Sequence, residues 1–164
     1  AGGGVGGAGG HDVKPLERRS VAIQACVSVR NLDLALYDGF ENVVVYTGEF
    51  IPGFEYEDED GVVHRQDAAL AGEAMQRGPV VLSWRDVAAS ADWGKSQMNL
   101  VIHEFAHKID MHDGAANGCP PLPDHEARNA WPRVLPAAYG GFISRVDRGA
   151  ATAVPPYRPP NPPE

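Results

Sequence analysis

The apolar positions of this chain fall into short runs of two periods. Within residues 18–31, Val21, Ala22, Ala25, Cys26 and Val29 recur every three or four residues. That is the period of a helix with one buried face, and Ser20 is its expected cap. Residues 42–46 (Asn-Val-Val-Val-Tyr) form a short β-branched run and predict a buried strand. Residues 78–83 (Gly-Pro-Val-Val-Leu-Ser) predict another strand, with Pro79 pointing to a place at the sheet edge. Ser83 or Asp86 then opens a short helix through Ala89. Residues 124–145 are amphipathic, but Pro132, Pro136 and Gly140-Gly141 interrupt them, so two or three helical pieces are expected. Residues 55–61 are acidic and end in Asp-Gly ahead of Val62-Val63. They read as a hairpin turn with a solvated face rather than as an acidic metal site.

The run at residues 99–114 carries chemistry as well as pattern. Leu100, Val101, Phe105 and Ile109 suit a mostly buried helix, which neither Pro nor Gly interrupts before Gly114. Gly114 can end it with a positive φ. Inside this helix stands His103-Glu104-Phe105-Ala106-His107, an HExxH sequence. Two histidines four apart share one helix face and can hold one metal ion from the same side. The glutamate beside the first histidine can take a proton from water as general base.

Composition narrows the remaining options. A chain of 164 residues with 43% hydrophobic residues is expected to build one domain with its own core. Its net charge of −8 comes without a basic stripe, which argues against a nucleic-acid partner. No run of about 18 apolar residues exists, so no membrane span is expected. Residues 1–17 read as a flexible Gly-rich leader, without the basic start and apolar stretch of a signal peptide. Cys26 and Cys119 make no disulfide framework, and a reducing cytoplasm fits them best.

A catalytic zinc needs three protein ligands and one open position. The helix supplies His103 and His107. His112 and His125 are candidates for the third. The longer HExxHxxGxxH signature is absent, because Asp110 and Asp113 stand where its Gly and third His belong. A glutamate from a later helix is therefore expected, and Glu126 and Glu164 are the glutamates after the motif. Asp110, two turns beyond His103, is a candidate acceptor for an imidazole N–H. A structural zinc site would instead close the fourth position with Cys119 or His112.

The chain resembles the Mlc titration factor A family of zinc-dependent peptidases. The residues that carry the resemblance are Val43-Val44-Val45-Tyr46, Gly78-Pro79-Val80-Val81-Leu82-Ser83-Trp84, and Asn99 through Asp110 followed by Asp113-Gly114. The similarity runs over residues 21–148. In the family a tyrosine and an Asn-Pro-Ala-Glu-like helix start follow, and Tyr157-Arg158-Pro159-Pro160-Asn161-Pro162-Pro163-Glu164 is similar to that stretch. The resemblance thus implies Glu164 as third zinc ligand and Tyr157 as the group that steadies the oxyanion. It implies an α+β fold of zincin-like type, with a small mixed sheet, an active-site helix and further helices, similar to the catalytic domain of anthrax lethal factor. Residues 18–148 are then the peptidase core and residues 149–164 a Pro-rich tail, in a truncated member of the family. The implied activity is aminopeptidase-like cleavage of short peptides, with one Zn2+ per chain and Glu104 as general base. A strand edge near residues 78–83 would align an extended peptide substrate by backbone pairing. The alternative is a binding module for a transcriptional repressor of sugar uptake.

Overall fold

The computed structural model describes residues 4–51, 55–57, 63–65, 69–76, 78–91, 98–114 and 116–152. Glu164 and Tyr157 lie outside the described residues. Among the described residues, four strands make a mixed sheet in the order β1-β2-β6-β5. β1 (Val5–Gly7), β2 (Val43–Tyr46) and β6 (Val80–Ser83) run parallel, and β5 (Gly72–Ala74) is antiparallel to β6. β3 (Glu55–Glu57) and β4 (Val63–Arg65) pair antiparallel apart from this sheet, and the Asp-Gly turn expected between them lies outside the described residues. The helices are α1 (Pro15–Ser28), α2 (Trp84–Ser90), α3 (Leu100–Asp110) and α4 (His125–Asp147).

The core lies between one sheet face and helices α1 and α3. Val43 and Val45 of β2 and Val80 and Leu82 of β6 meet Val21 and Ala25 of α1, Val87 of α2, and Leu100, Val101 and Phe105 of α3. Alternation along β2 and β6 places these four strand side chains on the same face. Phe105 also packs edge-on against Tyr37 and Phe40, with ring centroids 5.0 and 5.7 Å away.

Four expectations are corrected. Strand β6 lies between β2 and β5 with all four residues buried, so residues 78–83 do not form an edge. Pro79 precedes the first paired residue, so its missing N–H costs no ladder bond. The edge beside the motif helix is β5 instead. Helix α1 begins at Pro15, whose fixed φ suits the first turn, and Glu17 rather than Ser20 closes its start. Glu17 Oε2 accepts from the Lys14 backbone N–H at 3.2 Å and lies 2.9 Å from His11 Nε2. Residues Val5–Gly7, inside the stretch read as a flexible leader, pair in parallel with β2, and Val13 joins the core. Finally, α4 is one helix of 23 residues with Pro132 and Pro136 inside it. None of its residues is buried, so a carbonyl deprived of its helical partner by a proline can be hydrated.

Candidate metal centre

The start of α3 is fixed by side chains as well as by packing. Asn99 Oδ1 accepts from the Ile102 backbone N–H at 2.8 Å, and Asn99 Nδ2 donates to Gln24 Oε1 of α1 at 2.6 Å. The Leu100 N–H donates to Ser90 Oγ at 3.2 Å. One side chain thus caps the helix and docks it on α1. At the other end the chain leaves through a short 3-10 turn, Met111–Asp113, and Gly114 stops it with φ 152°.

The helical period then sorts the residues. Leu100, Val101, Glu104, Phe105 and Lys108 are buried, while His103 and His107 are exposed. The two histidine Nε2 atoms stand 3.3 Å apart, with the rings at 88° to each other. Two imidazole nitrogens on one tetrahedral zinc, at bonds of about 2.05 Å, are separated by about 3.3 Å. In spacing, the donor pair is compatible with a shared metal ion. Although His103 is exposed by surface area, partial desolvation of its ring against the helix, and after it the charge of His107, lower its pKa. That favours the neutral imidazole, which is the form that ligates.

Glu104 is only 5% exposed. Burial, and after it the charge of Glu73, pushes its pKa up to about 7. A carboxyl held near neutrality suits both acceptance and return of a proton. An open cavity of about 320 Å³ joins His103, Glu104 and His107 to the edge strand at Gly72, Glu73 and Ala74. The larger cavity, about 540 Å³ beside Lys108 and Met111, contains none of the three motif residues. The chemistry therefore points to the smaller one.

The other sequence candidates stand apart from this pair. Among the described residues, no third His, Cys, Asp or Glu completes a metal-holding group. His125 and Glu126 sit exposed in the first turn of α4, and His112 is exposed in the turn after α3. Cys119 is a free thiol, half-buried in the loop before α4. Asp110 does not show the expected imidazole contact. Its Oδ2 accepts from the Gly118 N–H at 3.0 Å, which ties the following loop to the helix end.

Sequence reasoning missed three neighbours of the motif. Lys108, 5% exposed, donates from Nζ to the carbonyls of Met75, Gln76 and Gly78 in the turn between β5 and β6. Its place four residues after Glu104, on the buried face, was the available signal. Glu73 carries an Oε2 that is buried and has no hydrogen-bond partner among the described residues, and burial raises its pKa. Gly72 lets the strand backbone approach Glu104. No periodicity marks either of these two.

The chain is 38% identical over 139 residues to Mlc titration factor A of Klebsiella pneumoniae subsp. pneumoniae, covering 84% of this chain and 51% of that protein. It is 37% identical over 145 residues to the protein of the same name from Escherichia fergusonii, covering 88% and 54% respectively. The Salmonella gallinarum protein is 35% identical over 139 residues, covering 84% of this chain and 51% of its own length. The chain thus spans about half the length of these curated relatives. The family described as glucose-regulated metallo-peptidase M90 matches residues 4–164, which include β1 and everything after it. With its paired histidines and buried glutamate on one helix, the chain belongs to the glucose-regulated metallo-peptidase family M90.

Proposed function

We propose that the chain carries the catalytic centre of a zincin-like, zinc-dependent peptidase that cleaves short peptides from the amino end. The observation that carries this reading is the 3.3 Å approach of His103 Nε2 to His107 Nε2 beside the buried Glu104. Family membership supports a metal, and the imidazole pair supports zinc among the candidates. His103, His107 and Glu164 are the proposed ligands, with Glu164 and Tyr157 resting on the resemblance alone. A zinc ion held there would supply Lewis acidity and make a water at the site easier to deprotonate.

The chain's own groups do the rest. Glu104 takes a proton as the water oxygen bonds to the scissile carbonyl carbon. It returns that proton to the nitrogen as the C–N bond breaks, so the amine leaves neutral. The Tyr157 hydroxyl donates to the oxyanion formed between the two steps. Strand β5, whose outer edge carries no strand partner among the described residues, offers backbone groups to an extended substrate.

Zinc-loaded chain assayed on dipeptide amides, with and without a chelator, tests the activity. Glu164→Ala is expected to weaken zinc binding and Glu126→Ala to leave it unchanged. The reverse pattern would remove Glu164 from the ligand set.

A second reading concerns partners. The relatives are named for titrating Mlc, and a transcriptional repressor is the protein partner proposed for this chain. Val134, Leu135, Tyr139 and Ile143 leave apolar area exposed on α4, which favours a protein contact there. Such binding would survive loss of Glu104.

A further inference from the structure

The edge strand and the motif helix touch at a point where the strand has no side chain. A Cβ built on Gly72 would lie 2.6 Å from Glu104 Oε1, 3.0 Å from Glu104 Cδ and 2.9 Å from Leu100 Cδ1. All three distances fall well inside the 3.4–4 Å of ordinary contact. The carboxylate therefore rests directly on strand backbone.

The strand has little room to withdraw. Gly72 is in register with Leu82 of β6, and the Ser83 N–H donates to the Ala71 carbonyl at 2.7 Å. On the far side of the same hairpin, Lys108 Nζ donates to the carbonyl of Met75 and, at 3.2 Å each, to those of Gln76 and Gly78. Lys108 lies one turn beyond Glu104 on α3, so the helix grips the hairpin turn at 108 and meets its first strand at 104. An atom added at Gly72 must displace the Glu104 carboxylate and the Leu100 Cδ1 methyl, both free ends of side chains, before it moves the strand.

We propose that Gly72 is a positioning residue for Glu104: the bare backbone at this point of β5 is the seat that aims the carboxylate into the cavity it shares with His103 and His107. The inference rests on Glu104 being the general base. It assigns the edge strand a second task beside substrate alignment, namely fixing the reach of that base.

The test is Gly72→Ala in the full chain, with zinc content, kcat and KM measured on a dipeptide amide. The variant is expected to keep its zinc and its KM and to lose about 10²-fold in kcat, the scale of a displacement near 1 Å. Full kcat would overturn the proposal. Crystal structures of the zinc-free wild-type and Gly72→Ala chains report the carboxylate position whether or not peptide is turned over. A wild type without activity would refute the peptidase reading, whereas an unmoved Glu104 Oε1 in the variant would refute the seat. If Gly72→Ala does not fold, the same substitution in a Glu104→Ala background decides by thermal unfolding. A cooperative transition there shows that the carboxylate was the obstacle, and no transition there overturns the proposal.

Discussion

Helices α3 and α4 make opposite use of their residues. Helix α3 spans 11 residues and buries five of them, while α4 spans 23 and buries none. The shorter helix is held along its length by Leu100, Val101 and Phe105 in the core, by Asn99 at its start and by Lys108 near its end. Its exposed face is then free for His103 and His107, whose separation depends on a rigid support. The longer helix is capped by Asp124, whose side chain accepts from the Ala127 N–H at 2.8 Å, and is tied to the preceding loop by Trp131 Nε1 donating to the Gly118 carbonyl at 2.8 Å. It tolerates two prolines because no buried contact depends on its exact course. Tight burial of one face is thus what lets the other face hold reactive groups at fixed distances.

That contrast can be broken most severely at Glu104. Glu104→Gln is expected to keep zinc and lose peptidase activity by about 10²-fold or more, the usual scale for a general base. Equal activity on a dipeptide amide would show that the buried face of α3 supplies packing alone.

The next effect is on stability. Phe105→Ala empties a site lined by Tyr37, Phe40 and the core strands, and is expected to cost about 3–5 kcal/mol in denaturant unfolding. Leu135→Ala on α4, where the side chain is 42% exposed, is expected to change stability by less than about 0.5 kcal/mol. Similar losses at both positions would erase the distinction between the helices.

Burial of Glu104 also predicts a pH dependence in the metal-free chain. Its pKa is raised from 4.5 to about 7. Between those values the folded chain holds a proton that the unfolded chain has released. This group's contribution is therefore fully present below pH 4.5 and is lost as pH rises through about 7. Glu104→Gln should flatten stability across that window. An unchanged slope would mean that the carboxyl is better solvated than its 5% exposure implies.

A smaller loss than that of Phe105→Ala is expected at the cap. Asn99→Ala removes the acceptor of the Ile102 N–H and is expected to cost about 1–2 kcal/mol. Because Asn99 also donates to Gln24, the loss should exceed that of Asp124→Ala, whose cap sits on an exposed helix start.

Much of α3 was legible in the sequence, because burial and chemistry there follow one helical period. The apolar residues and the shared face of the histidines repeat at that spacing, and Gly114 marks the stop. Strand β2 was legible for a similar reason, through its β-branched run. The order of strands was not, because β5 is three residues of Gly-Glu-Ala with no apolar signature. Its pairing turned β6 from an expected edge into an interior strand. The continuity of α4 was hidden because two prolines carry a strong local penalty that an exposed helix can absorb. The contact of Gly72 with Glu104 and the three carbonyl acceptors of Lys108 are tertiary events between segments about 30 residues apart, beyond the reach of local periodicity.

On the reading proposed here, His103 and His107 hold one metal ion between them. Zinc content per chain, measured for the wild type and for His103→Ala and His107→Ala, tests it directly. One equivalent in the wild type and close to none in either variant is the predicted result. A full equivalent retained in both variants would contradict the claim.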